Sequence, residues 1–95
     1  MDWTFDHARN GYVLQDAGTP LARIYLKETG APRNRFRVRT LVSFLYFSSP
    51  RQKRLERARK EWVATVRKFS TRDQALLYID AKKTETVRFI RNREA

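Results

Sequence analysis

Four arginines at alternate positions are the side chains best placed for chemistry in this 95-residue chain. They are Arg33, Arg35, Arg37 and Arg39. Side chains two positions apart in a strand lie on the same face, about 6.7 Å from each other. A guanidinium is always charged and presents a planar fork of donors that fits phosphate oxygens. No acidic residue lies among them, so the pattern favours phosphate contact over a solvated face that only prevents edge-to-edge aggregation.

A second basic segment follows and has the features of a helix. Ser49 fits the N-cap, Pro50 the first helical position, and Gln52 completes a capping box. The apolar stripe of this helix comprises Leu55, Ala58, Trp62, Val66 and Phe69. The side opposite the stripe carries Lys53, Arg57, Lys60, Arg67 and Lys68. The cations of this segment expected to contact nucleic acid are Arg51, Lys53, Arg54, Arg57 and Lys60. The stripe is needed for the core, which argues against binding on a membrane surface.

Two structures are open for residues 62–69. The stripe predicts one helix that runs from Pro50 to Phe69. Val63, Thr65 and Val66 are good strand formers, so a strand from Trp62 to Phe69 is the alternative.

The charge is concentrated in the last two-thirds of the chain. Residues 1–32 hold three basic and four acidic side chains, whereas residues 33–95 hold 18 basic and six acidic ones, within a total charge of +11. Such an imbalance costs stability through self-repulsion, which a polyanion relieves. The sequence therefore predicts that these cations form one continuous surface for a negatively charged polymer.

Residues that support catalysis are sparse. His7 is the only histidine, the acidic residues are scattered, and there is no cysteine. Gly11, Gly18 and Gly30 are isolated turn glycines rather than a phosphate-binding loop. We therefore expect no enzyme activity, no metal and no cofactor.

The length and composition predict one domain in the cytoplasm of a bacterial or phage-infected cell. Residues 1–95 suit a single core, and 12 aromatic side chains argue against disorder. No apolar run spans a bilayer, and the first residues lack a signal-peptide pattern.

The first half of the chain predicts a β-meander over residues 1–47. Asn10-Gly11 is the strongest hairpin signal, since a type I′ turn needs two residues with positive φ. Turn clusters at 16–20 and 28–32 flank a strand from Leu21 to Lys27. A long strand from Arg33 to Phe47 follows, with a bend or bulge near Thr40. Its even positions are core, and a helix is expected to cover the odd positions from Leu41 onward.

The last segment predicts a second helix. Thr71 and Gln74 form a capping box, and lysines near position 83 suit the C-terminus of the helix. Residues 48–83 thus hold a basic helix and a second helix, and residues 84–95 form a short edge strand or a basic tail. The predicted fold is α+β, an antiparallel meander of three to four strands packed on one or two C-terminal helices.

The succession of short strands, the Asn-Gly turn and Phe69-Ser70-Thr71 followed by Ala75-Leu76 resembles a known layout. It is similar to the AP2-like, integrase arm-type DNA-binding domains and to small phage-encoded proteins of the same strand-strand-strand-helix form. The resemblance spans residues 10–82, and the basic segment 48–62 departs from it. It implies that a sheet face enters the DNA major groove, with Arg23 and the arginines at 33–39 on that face.

Two functions follow as hypotheses. The first is a nucleic-acid-binding protein, of DNA or RNA, in which the arginine-bearing strand and the basic helix contact phosphates. Tyr25 and Phe47 are the aromatic side chains to examine for base stacking. The second is a phage-type inhibitor, such as an anti-CRISPR or other counter-defence factor, that binds an acidic host protein or a nucleoprotein. A homodimer is compatible with either hypothesis.

Overall fold

A computed structural model describes residues 1–43, 46 and 62–94, in which one helix packs on a five-stranded antiparallel sheet. The strands follow chain order as β1 to β5. Their bounds are Asp2–Asp6, Gly11–Asp16, Thr19–Glu28, Phe36–Ser43 and Trp62–Phe69, and helix α1 spans Arg72–Glu94. The predicted α+β class is confirmed, with five strands in the meander instead of three to four.

The two-residue turn lies in a different hairpin from the one expected. Between β1 and β2 the chain makes a four-residue loop, residues 7–10, because Asp6 already pairs with Gly11. The type I′ signature belongs to Ala17 and Gly18 between β2 and β3, whose φ angles are 50° and 81°. The hairpin at residues 10–11 is thus confirmed, but the assignment of its turn is wrong.

Gly11 is required by close packing within the sheet. A Cβ at this position would collide with the carbonyl oxygen of Ile24 and with Tyr25 on the neighbouring strand. We expect Gly11→Ala to lower the free energy of unfolding by about 1–3 kcal/mol, the cost of overpacking. Gly30→Ala is the matched control, since a Cβ there meets nothing within 4 Å. Equal thermal unfolding midpoints for the two variants, followed by circular dichroism, would contradict this packing.

Strand β4 is shorter than predicted. It begins at Phe36 because Asn34 has a φ of 54°, which interrupts an extended chain. The preceding loop is closed by Thr29, whose backbone N–H and side-chain Oγ1 both donate to the carbonyl oxygen of Arg35, at 2.7 and 3.2 Å. The pairing of β4 with both neighbours continues through Thr40 without a shift, so the bulge predicted there is absent from this strand.

Residues 62–69 form strand β5, which contradicts the single helix predicted from Pro50 to Phe69 and confirms the alternative. Every residue of β5 pairs with β4, from Ser43 opposite Trp62 to Phe36 opposite Phe69. Pairing with β4 and β-branched composition together override the helical stripe. The predicted basic helix at residues 48–60 lies outside the described residues.

Helix α1 is one continuous element from Arg72 to Glu94. The Thr71 cap is confirmed, since Thr71 Oγ1 accepts a hydrogen bond of 3.3 Å from the backbone N–H of Gln74. The predicted end near Lys83, with a strand or tail at 84–95, is wrong for residues 84–94. Thr86 and Ile90 continue the buried stripe that begins at Ala75, so burial extends the helix. No helix among the described residues has the length and apolarity needed to cross a membrane.

The core lies between α1 and the side of the sheet that carries the even positions of β4. One buried cluster comprises Leu14, Leu21, Ala22, Val42 and Ile90. The other comprises Ile24, Val38, Ala75 and Ile79. The prediction that the even positions of β4 are core is confirmed from Phe36 to Val42. Helix α1 therefore covers the sheet face that holds the even positions of β4. It does not cover Leu41 on the opposite face, where a helix was expected.

Candidate nucleic-acid interface

The side of the sheet opposite α1 carries a mixture of cationic and aromatic side chains on β3, β4 and β5. We call this surface the open face, because no described element packs on it. Successive side chains of a strand alternate between faces, so its members follow from the strand register. They are Arg23, Tyr25, Lys27, Arg37, Arg39, Leu41, Ser43, Trp62, Ala64, Val66 and Lys68.

Three cations lie directly opposite one another across the open face. Arg37 in β4 pairs in register with Lys27 in β3 on one side and with Lys68 in β5 on the other. Like charges directly opposite each other in a sheet are destabilising. The ion pairs between described residues are Arg35–Glu28 and Lys82–Glu85, and neither involves this row. The row therefore has no anion of the described chain to neutralise it.

Arg39 extends the positive surface by one position along β4. It is exposed and lies in register between Tyr25 and Val66. Val66 itself is 51% exposed. The result is a basic surface with apolar side chains between its cations, as in proteins that contact a nucleic-acid backbone.

The two aromatic side chains of the open face each lie against an arginine. The Cζ atom of Arg23 lies 5.0 Å from the ring centre of Trp62. The Cζ atom of Arg9, from the β1–β2 loop, lies 5.8 Å from the ring centre of Tyr25. Stacking of this kind uses the face of the guanidinium group, and the N–H donors at its edge stay available for hydrogen bonds. Tyr25 is half-buried, and Phe47, the other aromatic residue chosen for base stacking, lies outside the described residues.

The hydroxyl of Tyr25 joins two of these arginines. Arg9 Nη1 and Arg23 Nη1 both donate to Tyr25 Oη, each at 3.4 Å. The hydrogen bond to Tyr25 raises the pKa of Arg9 above its ordinary value, and the nearby carboxylate of Asp6 acts in the same direction.

The predicted ladder of four arginines is reduced to two. Arg37 and Arg39 are in β4 on the open face, but Arg33 and Arg35 precede the strand in the 29–35 loop. Arg35 Nη2 forms a 2.8 Å ion pair with Oε1 of Glu28, which contradicts the expectation that these arginines have no acidic partner. The helical candidates at residues 51–60 lie outside the described residues.

The described cations of the last two-thirds of the chain lie on both sides of the sheet. On the side of α1, Lys83 Nζ lies 3.3 Å from the ring centre of Tyr12. Arg67 Cζ lies 5.6 Å from the ring centre of Tyr78, also on that side. The expectation of a single surface is therefore wrong for the described cations, and the open face holds only a subset of them.

Sequence reasoning missed three cations that the fold adds to Arg37 and Arg39. Lys27 and Lys68 join through the register of β3, β4 and β5, and Arg9 joins through its contact with Tyr25. The implied placement of Arg23 on this face matches the register. The strand-forming composition of residues 62–69 could have indicated Lys68 as a site residue, because a strand there places Lys68 beside β4.

Metal-binding side chains do not cluster in the described part of the chain. No group of three His, Cys, Asp or Glu side chains among them could hold a metal ion. His7 is exposed, and its ring makes an edge contact with Phe5 at 4.6 Å between ring centres. Asp2 and Asp6 on β1 share the open side of the sheet, and the carboxylate of Asp6 acts on Arg9. The basic surface therefore lies on β3–β5 and is bordered by acidic residues at β1.

Comparison with known proteins adds no assignment. No protein-family model matches the chain, and searches of curated proteins and of solved structures found no match. The resemblance to AP2-like domains therefore stays a prediction, and the function has to be argued from the open face.

Proposed function

We propose that this protein binds nucleic acid, with the open face against the phosphate backbone. The observation that carries the proposal is the row Lys27, Arg37 and Lys68, three cations opposite one another that no described carboxylate neutralises. A sheet that holds such a row is under like-charge repulsion in its free state. A chain of phosphates relieves that repulsion and gains charge-assisted hydrogen bonds.

The arrangement favours backbone contact over the reading of bases. The rings of Tyr25 and Trp62, which would stack on unpaired bases, lie against Arg9 and Arg23. Phosphate contacts position a protein on nucleic acid but carry no direct sequence information. We therefore expect weak sequence preference and strong salt dependence.

Salt dependence is the test of this function. Six cations, namely Lys27, Arg37, Arg39, Lys68, Arg9 and Arg23, give a slope of log K against log salt of about −5 on duplex DNA. The measurement is fluorescence anisotropy of a labelled 20-base-pair duplex, titrated at several salt concentrations between about 50 and 200 mM. A labelled single strand and an RNA duplex of the same sequence serve as parallel probes.

A flat response to salt with all three probes would overturn the proposal. The inhibitor hypothesis then takes its place, and a pull-down from host lysate with and without nuclease examines it. A partner retained after nuclease treatment supports an acidic host protein, whereas a partner lost with the nucleic acid supports docking on a nucleoprotein.

A further inference from the structure

Two arginines from separate parts of the chain converge on one neutral oxygen at the end of the open face. Arg9 belongs to the β1–β2 loop and Arg23 to β3, and both Nη1 atoms lie 3.4 Å from Tyr25 Oη. Their guanidinium groups are thus within two hydrogen-bond lengths of each other. No described carboxylate forms an ion pair with either arginine.

The two guanidinium groups retain most of their donors for a ligand. Each has five N–H bonds, and for each the described residues accept one hydrogen bond, at Tyr25 Oη. The Nε atom of Arg23 is buried without a partner, while the ring of Trp62 supports the guanidinium plane at 5.0 Å. Aromatic contacts therefore hold the pair in place. The carboxylate of Asp6 acts on Arg9 without an ion pair, so among the described residues the two arginines keep a net positive charge.

The geometry points to a phosphate site formed by Arg9 and Arg23, with Tyr25 as the residue that positions both. This inference rests on the proposed function and specifies one contact within it. A phosphate group carries the negative charge that would neutralise the pair and has enough oxygens to accept from two planar forks at once. The ligand is a phosphate group of nucleic acid, either an internal diester or a terminal monoester.

Variants of Tyr25 and Arg9 test the site through binding. Arg9→Gln should weaken binding to the 20-base-pair duplex about tenfold, the value of one charge-assisted contact, and make the salt slope shallower by about 0.9. Tyr25→Phe keeps the ring and the net charge, so we expect weaker binding, about threefold, with an unchanged slope. Arg93→Gln, an exposed cation in the last turn of α1, is the charge-matched control.

The source of the phosphate is settled by duplexes with a 5′-phosphate or a 5′-hydroxyl group. Equal affinities, both weakened by Arg9→Gln, identify an internal diester. A gain from the 5′-phosphate that disappears in Arg9→Gln identifies a terminal monoester. Wild-type affinity of both Arg9→Gln and Tyr25→Phe for both duplexes overturns the site.

Inorganic pyrophosphate separates failure of the site from failure of the proposed function. Titration of the full chain, followed by nuclear magnetic resonance of the arginine Nε–H groups, should shift the signals of Arg9 and Arg23, and the shifts should shrink in Tyr25→Phe. Absence of these shifts overturns the site even where duplex binding persists. Their presence with no binding to the DNA duplex, the single strand or the RNA duplex supports the site and overturns the broader function.

Discussion

Replacement of Arg37 with glutamate should weaken binding to a 20-base-pair duplex by about a hundredfold. The substitution removes a charge-assisted contact worth about 1.5–3 kcal/mol and places a negative charge against the phosphates. Fluorescence anisotropy at fixed salt measures the loss, and a salt titration should show a slope shallower by about 1 or more. Arg37 is chosen because it is the middle member of the row between Lys27 and Lys68.

The same substitution should leave the fold intact or stabilise it. A carboxylate between two lysines turns two unfavourable cross-strand pairs into favourable ones, worth about 0.2–1 kcal/mol each. Thermal unfolding should therefore show an equal or higher midpoint in Arg37→Glu, which separates a binding role from a structural one. Lost binding together with a clearly lower midpoint would mean that Arg37 is structural.

Arg72→Glu is the control for net charge. It makes the same change of charge at an exposed position in the first turn of α1, the helix that packs on the opposite side of the sheet. A negative charge near a helix N-terminus is favourable, so this variant should fold. We expect its affinity to stay within about twofold of the wild type, because surface charges beyond a Debye length of about 8 Å are largely screened. Equal losses of affinity in Arg37→Glu and Arg72→Glu would mean that the binding surface lies elsewhere or that binding depends only on total charge.

Ile90→Ala should lower the free energy of unfolding by about 2–5 kcal/mol. Ile90 is fully buried, at 0% exposure, and packs in the cluster with Leu14 and Val42 although it lies near the end of α1. The loss combines reduced burial of apolar surface with a cavity under the sheet. Urea denaturation followed by circular dichroism measures it. A parallel thermal scan should show a fall in the midpoint of about 8 °C or more, at about 4–8 °C per kcal/mol.

Leu77→Ala is the matched control for this prediction. Leu77 lies on the same helix and is 72% exposed, so its truncation should change stability by no more than about 0.5 kcal/mol. A similar small change in Ile90→Ala would show that residues 84–94 do not pack on the sheet. It would restore the basic tail that the sequence predicted for that segment.

Several local features of the chain were predictable because they depend on close neighbours in sequence. The cap at Thr71 follows from its spacing to Gln74, and the alternation of Phe36, Val38, Thr40 and Val42 follows from the two-residue period of a strand. The hairpins were also visible. The choice of turn was not, because Asn10-Gly11 carries the stronger local signal while Ala17-Gly18 fits the register of β2 and β3.

Other features were mistaken where a local pattern competed with packing over a longer range. Residues 62–69 carry both a helical stripe and strand-forming side chains, and pairing along β4 selects the strand. Lysines near position 83 indicated a helix end, but burial of Thr86 and Ile90 continues the helix. In both segments the outcome depends on surfaces supplied by distant parts of the chain.

The candidate site likewise combines features set by the local sequence with features set by long-range packing. The sequence alone established that the chain is strongly basic and that Arg37 and Arg39 share a strand face, since charge and alternation need no partner strand. The tertiary fold brought Lys27 and Lys68 beside Arg37, placed Arg9 and Arg23 on Tyr25, and removed Arg33 and Arg35 from the row. Strand register decides these contacts, and register is set by the burial of one whole sheet face against α1, because a slip of one residue would turn every side chain to the opposite side.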